Sequence, residues 1–452
     1  MRLLNANRKP WSLSDDGVKN GEPGISRRQA LLSGVSLAGL MSSSGSVTAQ
    51  SQTPVATANS TASWKCPVKL LEEKEVVRDW WYGNNALFCR EGTIILPVEG
   101  ILATERKGEG KEEFSWRAIF VSSDAGASWV EKEKIEVQFT NKEGTVLHRG
   151  EGLSLGLWHQ LSDGSIIGVD GNITNDLSRP EQEYKPWISA VRRAKSPQAL
   201  LSGHYVDDFT KIAIPNLASI QGDSPNPTTG NACKVVEMDD GDLLMPMEGR
   251  FYNDTVRVPY HEWEAYQFRS WVCRSTDRGY TWNYLATIAS ANEHPLPAMS
   301  EGYCEPSVIS LGGRKLLAVL RTGGNPTGNG SLERYTSLVT SLSPDRGVTW
   351  TAPKPIYKYG VFPRLLKMST GTIVCSSGRP GVFLLFSKDQ GVSWSEPHIV
   401  TDYHVKWGEC SSGYTSIGET EPGVLCLFYD DVYRNEKGQL SNLVKMRKYQ
   451  VG

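Results

Sequence analysis

The chain has 452 residues, among them 44 Gly, 24 Pro and 14 Trp, a composition that suits a large all-β protein with many turns. With 48 basic and 50 acidic side chains the net charge is −2, so no global field favours nucleic acid or an anionic membrane, and any anion must be held by local arginines. Eight cysteines stand singly without CxxC spacing, and seven scattered histidines form no HExxH pair, which leaves no sign of a metal centre, redox pair or other cofactor.

The N-terminal region reads as an export signal. A long polar lead reaches Ser26-Arg27-Arg28-Gln29-Ala30-Leu31-Leu32, a weakly apolar run extends to Met41, and small residues end at Val47-Thr48-Ala49. The apolar run is shorter than the ~20 residues a bilayer span needs. The paired arginines resemble a twin-arginine signal, which implies a periplasmic or extracellular location for residues 64–452, with 1–49 as the signal and 50–63 as a polar tether. Most cysteines sit in apolar runs and read as small buried hydrophobes, although one or two disulfides remain open for an exported chain.

Beyond the tether, one pattern recurs. Ser122–Trp129 (SSDAGASW), Ser275–Trp282 (STDRGYTW), Ser343–Trp350 (SPDRGVTW) and Ser387–Trp394 (SKDQGVSW) share the form SxDxGx[ST]W. Short Ser and Asp side chains bond backbone amides in a tight turn, Gly supplies positive φ, and Trp packs beneath it. About 20 to 30 residues before each box lies an apolar hairpin: 86–96, 234–245, 307–320 and 365–375. Two further hairpins, 156–169 and 414–429, lack a box; outer strands from Trp187 and at Leu443–Tyr449 complete them. Six repeats of four strands predict an all-β, six-bladed β-propeller, with the early strand Val68–Val77 completing the last blade.

The boxes resemble the Asp-boxes of the sialidase (neuraminidase) superfamily, and the likeness spans roughly residues 64–452. Three inner strand ends carry the functional part of the resemblance. Glu305-Pro306-Ser307 is similar to the segment that holds a general-base Glu, followed by a strand ending in a substrate-binding arginine, here Arg321. Ser377-Gly378-Arg379-Pro380 resembles the place of another such arginine, and Gly413-Tyr414-Thr415-Ser416 that of a tyrosine nucleophile. Sialic acid carries a carboxylate on its anomeric carbon. A neutral tyrosine approaches it without the repulsion a carboxylate nucleophile would meet, and Glu305 would take the phenolic proton. Two guanidinium groups suit a carboxylate partner because they pair bidentately and keep their charge.

The chain departs from the family at the first blade. Residues 79–86 (DWWYGNNA) hold no arginine where the family places a third one, Arg78 being the nearest, and the loop after the next strand offers glutamates in place of the acid/base aspartate. Glu99, at that strand's expected end, is the preferred proton donor, with Glu105 and Asp170 as chemical alternatives. Glu248-Gly249-Arg250 reads as polar lining, with Arg250 a third candidate for substrate binding. Aromatic inserts at 80–82 and 252–266 would either stack on sugar or pack between blades, and the Gly-rich run 323–330 lacks the lysine of a phosphate loop. The resemblance thus implies an exo-glycosidase acting on terminal sialic acid or a related acidic sugar of a glycan. A propeller hydrolase or lyase on another glycan, and a non-catalytic carbohydrate-binding propeller, remain open beside it.

Overall fold

The computed structural model describes residues 64–452 apart from 83–84, 104–112, 141–145, 149–156, 170–173, 176–186, 219–229, 232–233, 259–265, 298–299, 324–336, 402–410, 437 and 439. The expected signal and tether therefore lie outside the described residues, as do Glu105, Asp170, Cys233, Cys410 and most of the Gly-rich run. Among the described residues no helix is long and apolar enough to cross a membrane. The fold is strands throughout, with a single-turn helix at Pro197–Leu201 capped by the Ser196 hydroxyl, which accepts from the amide of Ala199 at 3.0 Å.

The described strands form five sheets. Four are antiparallel. The fifth, of eleven strands, is antiparallel on either side of one short parallel junction, where Lys211–Ala213 of the strand Tyr205–Ala213 pair with Thr281–Asn283 of the strand Thr281–Ala289. In the last sheet the order runs from Val68–Arg78 to Leu440–Val451, Val424–Arg434 and Thr415–Glu421, so the earliest described strand pairs with the latest, as expected. That pairing covers an edge that would otherwise be open.

Apolar clusters bind neighbouring sheets, and the two antiparallel parts of the eleven-stranded sheet, face to face. Ile167, Val169 and Val191 meet Leu243, Met245 and Trp271 in one; Val272 and Leu244 meet Leu316 and Ala318 in the next; Phe383 and Leu385 meet Val319 and Leu338. Leu384 and Phe386 then meet Leu425 and Leu427, and Cys426, Phe428 and Met446 of the last sheet pack on Ile94, Leu96 and Ala118 of the first. Each sheet thus covers the next and the last covers the first, a propeller-like order in which strands buried on both faces read as continuous apolar runs.

The boxes sit at these seams and are built alike. In each, the Ser hydroxyl accepts from the Gly amide at 2.7–2.8 Å and donates to Asp Oδ1 at 2.7–3.0 Å. The Asp carboxylate in turn accepts the amide and hydroxyl of the following Ser or Thr at 2.5–2.9 Å. The residue before Gly is also left-handed (Ala125, Arg278, Arg346, Gln390), so two consecutive positive-φ residues turn the chain rather than the glycine alone. Trp129, Trp350 and Trp394 donate Nε1 to their own Gly carbonyl. Trp282 does not: Arg193 and the Thr210 hydroxyl, from across the parallel junction of the same sheet, take the Gly279 carbonyl instead.

These bonds hold the Asp124 carboxyl well below the usual carboxylate range. Asp277, Asp345 and Asp389 follow, their partial burial outweighed by the same Ser and Thr donors. A depressed folded pKa adds stability above the unfolded value near 4, and that stability is lost as pH falls through the folded values. Urea midpoints should therefore drop below about pH 4. Asp389→Ala should cost about 1–2 kcal/mol at pH 7 and should flatten this acid limb; an unchanged limb would mean the boxes are not its source.

The six described cysteines are free thiols, and Cys89, Cys273, Cys304, Cys375 and Cys426 are buried. Burial pushes the Cys89 and Cys273 thiols up to about 12, so they behave as small hydrophobes.

Candidate active site

Glu305 opens the strand Cys304–Gly312 in a left-handed conformation, φ +50°. Its Oε1 accepts from Nη1 of Arg321 at 2.9 Å, and its Oε2 accepts the amide of Phe362 at 2.7 Å. The Glu305 amide donates to the Glu248 carboxylate. Arg321, at the end of the strand Lys315–Arg321, also donates Nη2 to Glu301 Oε2 at 3.0 Å, so one buried guanidinium bridges two buried carboxylates. Burial alone would lower the Arg321 pKa; Glu305, Glu301, Cys304 and Tyr414 outweigh it and hold the group well above its ordinary value. The role expected for Arg321 was direct pairing with a ligand carboxylate, whereas its two terminal nitrogens already face Glu301 and Glu305.

Tyr414 is half-buried and lies immediately before the strand Thr415–Glu421. Its ring meets the Phe362 ring edge-on at 5.0 Å, and the Arg379 guanidinium lies over it at 4.9 Å. A continuous path therefore runs from the phenol through Phe362 to Glu305 and Arg321. Two glycines allow this approach. A Cβ on Gly378 would fall 2.2 Å from Gly413 Cα, and one on Gly413 would fall 2.8 Å from the Arg379 amide. Arg379 then anchors by donating Nε to the Ser412 carbonyl at 2.7 Å. On the other side of the loop, buried Asp430 accepts the Ser412 amide and, at 2.6 Å, its hydroxyl. Burial raises the Asp430 carboxyl despite these donors. Because backbone blocks the added methyl, Gly413→Ala should cost several kcal/mol or displace the 411–414 loop. Circular dichroism melts together with urea midpoints would detect a loss of stability, and a variant identical to the parent in both would show the contact to be slack.

Left-handed strain concentrates here. Nine non-glycine residues among those described have positive φ, and four are box turns. Of the other five, three are Glu305, Phe362 (φ +45°) and Arg379 (φ +59°), all in this cluster. Bulky residues are held in this region only where the surroundings over-determine them, which happens most often at functional sites.

The remaining expectations fare differently. Glu99 is not at a strand end: the strand runs Ile94–Ala103, because the pairing continues past the charge, and Glu99 lies inside it in register with Trp81 and Arg117. Arg250 donates Nε to the Asp254 carbonyl at 2.9 Å and stacks on Tyr266 at 3.4 Å, beside the bidentate Arg269–Asp254 pair. Trp80 is buried in the seam between first and last sheets, which is the packing alternative for that insert. Arg78 pairs with Glu75 on the surface of the last sheet and so does not occupy the place of the missing arginine.

Sequence reasoning missed Glu301, Phe362 and Arg364. Glu301 lies four residues before Glu305, a spacing with no meaning in an extended chain; it becomes a second ligand of Arg321 only because the chain turns at Gly302.

A model of the BNR repeat-like domain matches residues 222–427. A protein of unknown function from Dyadobacter fermentans superposes with TM-score 0.57 at 16% identity, over 85% of this chain and 99% of that one. The two share a fold. A leech intramolecular trans-sialidase gives TM-score 0.44 at 13% identity over 84% and 70% of the chains. An ulvan lyase gives 0.38 at 10% over 81% and 82%. Among curated proteins none matches the sequence.

Proposed function

We propose that residues 64–452 form a six-bladed propeller acting as an exported, retaining exo-glycosidase on terminal sialic acid or a related acidic sugar of a glycan. The supporting observation is the cluster in which Glu305, Phe362 and Arg379 are all held left-handed around Tyr414. Strain of this kind is maintained at a cost, and a merely structural seam has no use for it. The six-blade count rests on the parallel junction at Lys211–Ala213, which divides the eleven-stranded sheet into two antiparallel groups like the other four.

In this reading Tyr414 Oη attacks the anomeric carbon while Glu305 accepts its proton, and the bond to the aglycone oxygen breaks as Glu99 supplies a proton to it. Water, deprotonated by Glu99, then displaces the sugar from Tyr414, and the phenol recovers its proton from Glu305. Arg321 orients Glu305, and Arg379 faces the substrate carboxylate. The reaction needs a base with a fixed lone pair, and the Phe362 amide and Arg321 together fix both oxygens of Glu305.

Release of a fluorescent aglycone from an α-linked sialic acid conjugate tests the proposal. Turnover by the parent and its loss in Tyr414→Phe are expected. A parent protein inactive on every acidic sugar conjugate would leave a binding propeller instead.

A further inference from the structure

The partly buried loop 411–414 presents three successive amides, and each needs an acceptor. The Ser412 amide donates to Asp430 Oδ2 at 3.0 Å, the Gly413 amide to Ser411 Oγ at 3.1 Å and the Tyr414 amide to Ser412 Oγ at 3.3 Å. Both hydroxyls in turn donate to Asp430 Oδ1, Ser412 at 2.6 Å and Ser411 at 3.2 Å. Three consecutive peptide groups thus end on one carboxylate, directly or through a serine.

Strand register puts the carboxylate there. The ladder between the strands Thr415–Glu421 and Val424–Arg434 ends at the pair Thr415 and Tyr429, and Asp430 is the next residue, opposite the loop that leads into Thr415. The Ser412 carbonyl accepts Nε of Arg379 at 2.7 Å, so an anion fixes one side of this residue and a cation the other. Gly413, at φ +80°, lets the chain turn directly into Tyr414.

The same Ser and Asp chemistry builds the boxes, where the Asp stands two residues after its Ser and is exposed or half-buried. Here the carboxylate comes from 18 and 19 residues further along the chain and is 3% exposed. Burial raises the Asp430 carboxyl, whereas the box aspartates lie below their ordinary range. A buried anion is a costly way to hold a loop that a local Asp could hold from the surface. The arrangement has a use where the place of the loop's last residue decides a reaction, and that residue is Tyr414.

We infer that Asp430 is a positioning residue of the candidate site, which through Ser411 and Ser412 sets the place of the Tyr414 ring against Phe362 and hence against Glu305. The inference deepens the proposed function: it rests on that reading for the consequence in kcat, and on geometry alone for the placement of Tyr414. Asp430 itself stays behind the loop and takes no part in bond making.

Asp430→Asn keeps the shape but replaces one acceptor oxygen by N–H donors, which then face donors of the loop. A misplacement of about 1 Å suffices for a loss of about 10²-fold, so kcat on a sialic acid conjugate is expected to fall by about that factor while KM stays within about threefold. Ser412→Ala should act in the same direction, and Ser412→Thr, which retains the hydroxyl, should recover about half of parental kcat or more.

A second readout needs no turnover: acetylation of tyrosines by N-acetylimidazole, mapped by mass spectrometry at a temperature where circular dichroism shows each variant folded. Tyr414 should react about 3- to 10-fold faster in Asp430→Asn than in the parent, with the buried Tyr303 and Tyr429 unchanged as internal references. Loss of kcat at constant KM together with faster labelling at Tyr414 supports the inference. Parental kcat, or parental labelling of Tyr414, in Asp430→Asn overturns it whatever the melting temperature and leaves the glycosidase reading intact. If the parent turns over no acidic sugar conjugate, that reading falls and labelling decides: acceleration confined to Tyr414 keeps the positioning role, and equal labelling or acceleration at all three tyrosines overturns it. Should Asp430→Asn fail to fold, Ser412→Ala and Ser412→Thr carry the test by the same readouts, and no change in the first or no recovery in the second overturns the inference.

Discussion

Tyr414→Phe is expected to lower kcat on a sialic acid conjugate by about 10³-fold or more, because the oxygen that would form the glycosyl bond is gone. The ring itself stays. Its edge contact with Phe362 at 5.0 Å and the Arg379 guanidinium at 4.9 Å need no hydroxyl, so the melting temperature should match that of the parent. Glu305→Gln should cost about 10²- to 10⁴-fold, since the amide can still accept from Phe362 but cannot take a phenolic proton. The double variant should be little worse than the slower single one, as residues acting in one step are not additive. A Tyr414→Phe enzyme retaining a tenth of parental kcat would exclude the phenol as nucleophile.

The largest expected effect on stability is at Glu301. Its carboxylate meets Arg321 at 3.0 Å where both side chains are almost wholly buried, 3% and 4% exposed. Glu301→Ala removes one of the two carboxylates that compensate that guanidinium. Breaking one side of a buried pair costs about 3–5 kcal/mol, and the remaining Glu305 contact places this variant at the lower end. Glu301 also helps position Arg321 against Glu305, so kcat should fall as well. Urea denaturation and the pH profile of kcat are the readouts. An unchanged unfolding free energy would mean that solvent reaches the pair.

The boxes were legible in sequence because their chemistry is local. Ser, Asp, Gly and Trp within eight residues complete one another's hydrogen bonds, so the pattern alone specifies the turn. The hairpins were legible through apolar runs broken by Gly. Glu305, Arg321, Arg379 and Tyr414 were nameable because each sits at a strand end with a distinctive neighbour, yet their mutual geometry depends on Phe362, which no local signal marks. Its role arises from a slipped pairing between Val361 and Arg364, a property of two strands together. The same holds for Arg364, whose partner Asn85 is 279 residues distant. Glu99 was expected at a strand end; the ladder to the strand of Arg117 continues through it and the following glycine.

The parallel junction between Tyr205–Ala213 and Thr281–Ala289 has a dynamic consequence. Main-chain and hydroxyl bonds, Lys211 to the Tyr280 carbonyl and Thr210 to the Gly279 carbonyl, rivet the two antiparallel groups of the eleven-stranded sheet to each other. Those two groups should therefore move as one plate, with slow amide exchange at Lys211 and Ile212.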